Sequence, residues 1–82
     1  MKYIIFEDFG GQETPILFPE RILHDELRDQ IPYARVVSAG MVALHGGEFV
    51  CKGRVKALDA QARSEDGRII ARHFENMQDQ ET

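Results

Sequence analysis

Residues Tyr33 to Ala57 read Tyr-Ala-Arg-Val-Val-Ser-Ala-Gly-Met-Val-Ala-Leu-His-Gly-Gly-Glu-Phe-Val-Cys-Lys-Gly-Arg-Val-Lys-Ala. Up to Leu44 both alternating phases are apolar, the pattern of a strand covered on both faces. His45-Gly46-Gly47-Glu48 interrupts the run. A Gly-Gly pair between two strand-like segments predicts a hairpin, because both central residues of the favoured turn need positive φ. The return segment alternates, with Phe49, Cys51, Gly53, Val55 and Ala57 on one phase and Lys52, Arg54 and Lys56 on the other. After Ala57 the apolar phase slips to Leu58, Ala60 and Ala62, which predicts a bulge or a break between strands.

Toward the N-terminus, Tyr3 to Phe6 and Thr14 to Phe18 read as two strands joined at Phe9-Gly10-Gly11-Gln12. Pro15 lacks a backbone donor, so the second strand sits at a sheet edge or begins after it. Pro19 suits a first helical turn, and Glu20 through Gln30 predicts an amphipathic helix with the stripe Leu23, Leu27, Ile31, ended by Pro32. Toward the C-terminus, Ser64-Glu65-Asp66 reads as an N-cap with first-turn acids, and Ile69, Ile70, His73, Phe74 and Met77 then share one helical face. Gly67 speaks against that helix, and the competing reading is a turn at Glu65-Asp66-Gly67 followed by a strand to Phe74. The fold class is therefore α+β: a small, mostly antiparallel sheet of about four to six strands, with an amphipathic helix after the second strand and a C-terminal helix. One domain is expected over residues 1–77, with a frayed polar tail over 78–82.

A chain of 82 residues buries only roughly 60% of the surface it exposes when unfolded, so its core is modest. The formal charge of -4 argues against a broad phosphate-binding face, since non-specific nucleic-acid affinity comes mainly from Lys and Arg. A single cysteine, Cys51, excludes an internal disulfide and points to a reducing compartment. The apolar run at Tyr3 to Phe6 is too short for a signal peptide, and no segment approaches the roughly 18 apolar residues of a membrane span. The expected location is the cytoplasm, with no membrane partner.

His24, His45, His73 and Cys51 are the residues to weigh for metal or nucleophilic chemistry, yet none stands at a ligand spacing from another. His24 lies at the margin of the first helix's stripe, His73 within the second helix's apolar face, and His45 at a hairpin end. Cys51 shares its phase with Phe49 and Val55, the position of a small buried hydrophobe, while Lys52 and Arg54 project to the opposite face. Neither glycine pair opens a helix with a lysine in register, so neither cradles a phosphate. Lys52, Arg54 and Lys56 form a basic row without an aromatic platform beside it. No catalytic residue, metal or cofactor is expected.

Ile16-Leu17-Phe18-Pro19 with His24 soon after, Val37-Ser38-Ala39-Gly40-Met41-Val42, Val50-Cys51-Lys52-Gly53, and Arg63-Ser64-Glu65-Asp66 with Ile69-Ile70 span most of the chain. Together they resemble a group of short, uncharacterised bacterial proteins, some of them phage or prophage encoded. The resemblance implies a compact α+β protein, an accessory protein of a mobile element, and it carries over no catalytic residue. Where those proteins read Ser-Leu after the glycine strand, this chain has Ala57-Leu58.

The leading functional expectation is a non-enzymatic binding or assembly protein, a homodimer, using a sheet edge or the surface around His73, Phe74 and Met77. An unstapled core of this size gains stability by burying surface against a partner. The first alternative is a nucleic-acid accessory protein using Lys52, Arg54 and Lys56. The second is a small metal or thiol enzyme using His24, Cys51 or His73.

Overall fold

The computed structural model describes residues 1–32 and 34–81, with side chains described through Glu75 except at Tyr33. Strands β1 (Lys2–Glu7), β2 (Glu13–Phe18), β3 (Arg35–His45) and β4 (Glu48–Lys52) form one antiparallel sheet in the order β2-β1-β3-β4. A second, two-stranded sheet pairs β5 (Arg54–Val55) with β6 (Ala60–Gln61). Helix α1 (His24–Asp29) lies between β2 and β3, and α2 (Asp66–Glu81) follows β6. The α+β class, the antiparallel sheet and the two helices agree with the sequence reading. Tyr33, where that reading begins the third strand, and Thr82 lie outside the described residues.

Strand β1 and β3 as far as Val42 are covered on both faces, whereas Ala43, Leu44 and His45 are exposed, against the expectation of cover on both faces up to Leu44. On one face Tyr3, Ile5, Val42 and Ile70 form a buried cluster beneath α2. On the other, Ile4, Phe6, Phe18 and Ala39 are covered by Leu27 and Ile31 with Val55, Leu58 and Ala60 of the small sheet and its turn. The β1–β3 register shifts between Ile5, opposite Ser38, and Phe6, opposite Val36. This bulge leaves Val37 as the extra residue and turns both Val37 and Ser38 toward α2.

Both outer strands carry a protection against further pairing. The backbone hydrogen bond from Asp8 to Gln12 (3.0 Å) sets the β1–β2 phase, and counting from it puts the nitrogen of Pro15 on the free edge, where a missing N–H costs nothing. Gly46 and Gly47 adopt φ of 57° and 84°, the two-residue turn that the Gly-Gly pair predicted. With that turn the carbonyl of Phe49 faces the outer edge of β4, and α2 seats Gly67 directly against it, leaving no space for a Cβ. The residue that seemed to weaken the second helix is the one its docking requires.

Two expectations are corrected. The first helix does not begin at Pro19: residues 19–22 form a turn with Ile22 N–H donating to the Pro19 carbonyl (3.1 Å), and the Ile22 carbonyl accepts from Lys2 Nζ (2.9 Å). The helix is six residues long, and Leu23, assigned to its buried stripe, is 53% exposed at the N-cap while Ile22 takes the inner position. The return segment Phe49 to Ala57 is not one strand. It breaks at Gly53 (φ 100°), then at a 3-10 turn over Lys56–Leu58 that ends in left-handed Asp59 (φ 50°). Phe49 and Cys51 pack under α2, but Val55 packs on the opposite cluster, so the chain changes faces inside what reads as a continuous alternation. Helix α2 continues to Glu81, into the stretch expected as a polar tail.

Candidate functional site

Beneath the first turn of α2 lies a polar centre that no motif announced. Asp66 is fully buried and its carboxylate accepts four hydrogen bonds: at Oδ1 from Ser38 Oγ (3.0 Å) and Arg63 Nε (2.9 Å), at Oδ2 from Tyr3 Oη (2.5 Å) and the Arg63 backbone N–H (2.8 Å). These occupy the roughly four lone-pair directions a carboxylate offers. Arg63 bridges onward to Glu13 at 2.7 Å, tying the approach to α2 to the start of β2. Each contributor is placed by its element: Tyr3 by the inward phase of β1, Ser38 by the bulge, and Asp66 by its position as the first residue of a helix whose N-terminus favours negative charge.

The electrostatics follow from this packing. Burial, reinforced by the neighbouring Asp66 carboxylate, pushes the Tyr3 phenol far above its ordinary range. The hydrogen bond to Glu13 is the main influence holding the Arg63 guanidinium charged, with Asp66 adding to it against the cost of burial. Burial likewise raises the Cys51 thiol, with the nearby Tyr3 hydroxyl a smaller opposing influence. The Tyr3 phenol and the Cys51 thiol are therefore held toward their protonated forms. Among the described residues every buried side-chain nitrogen and oxygen has a partner, so no orphaned group points toward a ligand. The arrangement pins α2 to the sheet.

The residues singled out from the sequence are dispersed over the molecule. His24 sets Nε2 3.2 Å from the Gly40 carbonyl and its ring edge-on to Phe18 at 5.2 Å, and burial lowers its pKa. Cys51 is half-buried against the α2 cluster, on the other side of the sheet. His73 and Phe74 are neighbours on α2 with their rings edge-on at 6.0 Å, and each borders a different opening. His73 lines an open cleft of about 400 Å³ with Glu13, Glu65 and Arg72, whereas Phe74 stacks on Phe49 at 5.8 Å beside an open groove of about 470 Å³ lined also by Leu17 and Leu44. The side chain of Met77 lies outside the described residues. Among the described residues no three His, Cys, Asp or Glu side chains gather at metal-binding distance, and no helix is long and apolar enough to cross a membrane.

The basic row is divided by the break at Gly53. Lys52 ends β4, Arg54 belongs to the small sheet with its guanidinium 3.7 Å from Asp59, and Lys56 opens the 3-10 turn. The regular spacing that suggested one charged strand face is a property of the sequence and not of a single strand.

Exposed apolar side chains are the remaining feature with functional content. Phe9 (91%) tips the β1–β2 loop and Leu23 caps α1, each alone, whereas Met1 and Val50 border one shallow groove and Leu44 and Phe74 another, on opposite faces of the β3–β4 hairpin. Comparison of the chain with protein-family models, with curated proteins and with solved structures gives no match.

Proposed function

We propose that this chain is a non-enzymatic binding or assembly protein that works as a homodimer through the hairpin end of its sheet. One observation carries the reading: Leu44 is 62% exposed and Phe74 37% on the α2 side of the β3–β4 hairpin, and Met1 55% and Val50 45% on its other side, while among the described residues the buried side-chain polar atoms are satisfied. Exposed apolar side chains grouped in this way mark interaction sites on small proteins, and a small unstapled core gains stability from burying them. The resemblance to short bacterial proteins adds the setting, an accessory role in a mobile element, and the genes flanking this one test it.

Light scattering over a micromolar dilution series tests the central point. The expected result is a mass that doubles with concentration and a melting temperature that rises with it. A monomer at every concentration overturns the proposal.

A further inference from the structure

We infer that the homodimer forms through the β3–β4 hairpin face turned away from α2, in a twofold arrangement that sets Glu48 of each copy against Lys52 of the other. The inference rests on the self-association proposed above and specifies its surface and register. Phe49 and Cys51 pack toward α2, so Glu48, Val50 and Lys52 project from the other face of β4, and all three are exposed. Met41 and Ala43 of β3 share that face and, with Met1 and Val50, line a shallow groove of about 200 Å³. Helix α1 covers the same side of the sheet only as far as His24, whose ring is held at the Gly40 carbonyl. Beyond that point only Glu20, whose carboxylate meets the Met1 ammonium at 3.4 Å, borders the hairpin face.

The pattern on this face is self-complementary. Along β4 an acid and a base flank a central valine, and the register sets Val50 opposite Ala43, Glu48 opposite His45 and Lys52 opposite Met41. A twofold axis lying between two such faces, perpendicular to the strands and over Val50 and Ala43, stacks those two small residues on their own copies. It also places each Glu48 over a Lys52 and each His45 over a Met41. Two ion pairs then rim an apolar centre, the arrangement an isologous contact requires. The axis puts the two α1 helices at opposite ends of the contact, clear of each other. Lateral sheet extension is disfavoured by Pro15 on one edge and by α2 against Phe49 on the other. Short side chains at the centre suit two sheets packed face to face at about 10 Å. A contact of this extent falls in the class below about 1,200 Å² of total buried surface, which makes a weak, concentration-dependent dimer.

Charge exchange tests the register. Glu48→Lys leaves two lysines on the face and Lys52→Glu two acids, so each variant alone meets like charge and is expected to dimerise roughly tenfold more weakly than the wild-type chain. Mixing the two variants restores both pairs, and light scattering of the equimolar mixture should return to the wild-type mass at the same total concentration. The double variant Glu48→Lys/Lys52→Glu should dimerise like the wild type. Both positions are exposed, and circular dichroism confirms that the variants remain folded. A wild-type chain that stays monomeric overturns the self-association itself. A wild-type dimer that both single variants preserve, or a mixture that gains nothing over its components, overturns this face and register while leaving self-association standing.

Discussion

The two faces of the four-stranded sheet are held by different physics. Beneath α2, four hydrogen bonds converge on one buried carboxylate amid Tyr3, Ile5, Val42 and Ile70. Beneath α1, Ile4, Phe6, Phe18 and Ala39 meet a six-residue helix and a two-stranded sheet by apolar contact. Hydrogen bonds are directional and a buried one is costly to break, so they select a single placement for the long helix. Apolar contact is tolerant of small shifts, and on that face it suffices to hold short elements whose ends are fastened separately, as Lys2 fastens Ile22.

The strongest test of this contrast is Asp66→Ala. It strands the Tyr3 hydroxyl, Ser38 and Arg63 together, and should lower stability by about 3–5 kcal/mol, the range for breaking a buried charged pair, read from the urea midpoint. Gly67→Ala comes next. The new methyl meets the Phe49 carbonyl, and the expected loss is about 1–3 kcal/mol, despite the helix-forming advantage of alanine. On the opposite face Ile4→Val, which removes one methyl and no hydrogen bond, should cost about 0.5–1.5 kcal/mol. A cost equal to that of Asp66→Ala would erase the distinction between the faces.

The smallest expected effect is one of pH on the α1 side. Burial holds the His24 imidazole below its ordinary value of 6.5, against the opposing pull of the Gly40 carbonyl. A base depressed in the folded state takes up its proton first in the unfolded chain. Its contribution is therefore complete above pH 6.5 and declines as the pH falls from there through the folded value. His24→Gln should flatten that decline in a pH series of thermal melts.

Some elements were plain in the residues. The Gly46-Gly47 turn, the doubly buried middle of the third strand and the edge position of β2 each depend on local geometry, and local geometry is written in glycine, proline and a period of two. The break at Gly53 was concealed because the alternation persisted while the chain crossed from one cluster to the other. The start of α1 was misplaced because a helix signal at Pro19 competes with a carbonyl that Lys2 claims from another strand.

The polar centre was hidden for the same reason on a larger scale. Asp66 read as an ordinary first-turn acid, and Tyr3 and Ser38 as strand residues, although a tyrosine in a doubly buried strand needs a partner for its hydroxyl. Their meeting joins positions 63 residues apart along the chain and depends on a one-residue bulge, two features without a local signature. Periodicity and turn chemistry, which act between near neighbours, specified the α+β class and its hairpins. Long-range packing, which closes those neighbours onto distant segments, chose where α2 is anchored, which glycine lets it approach, and which part of the hairpin is left exposed.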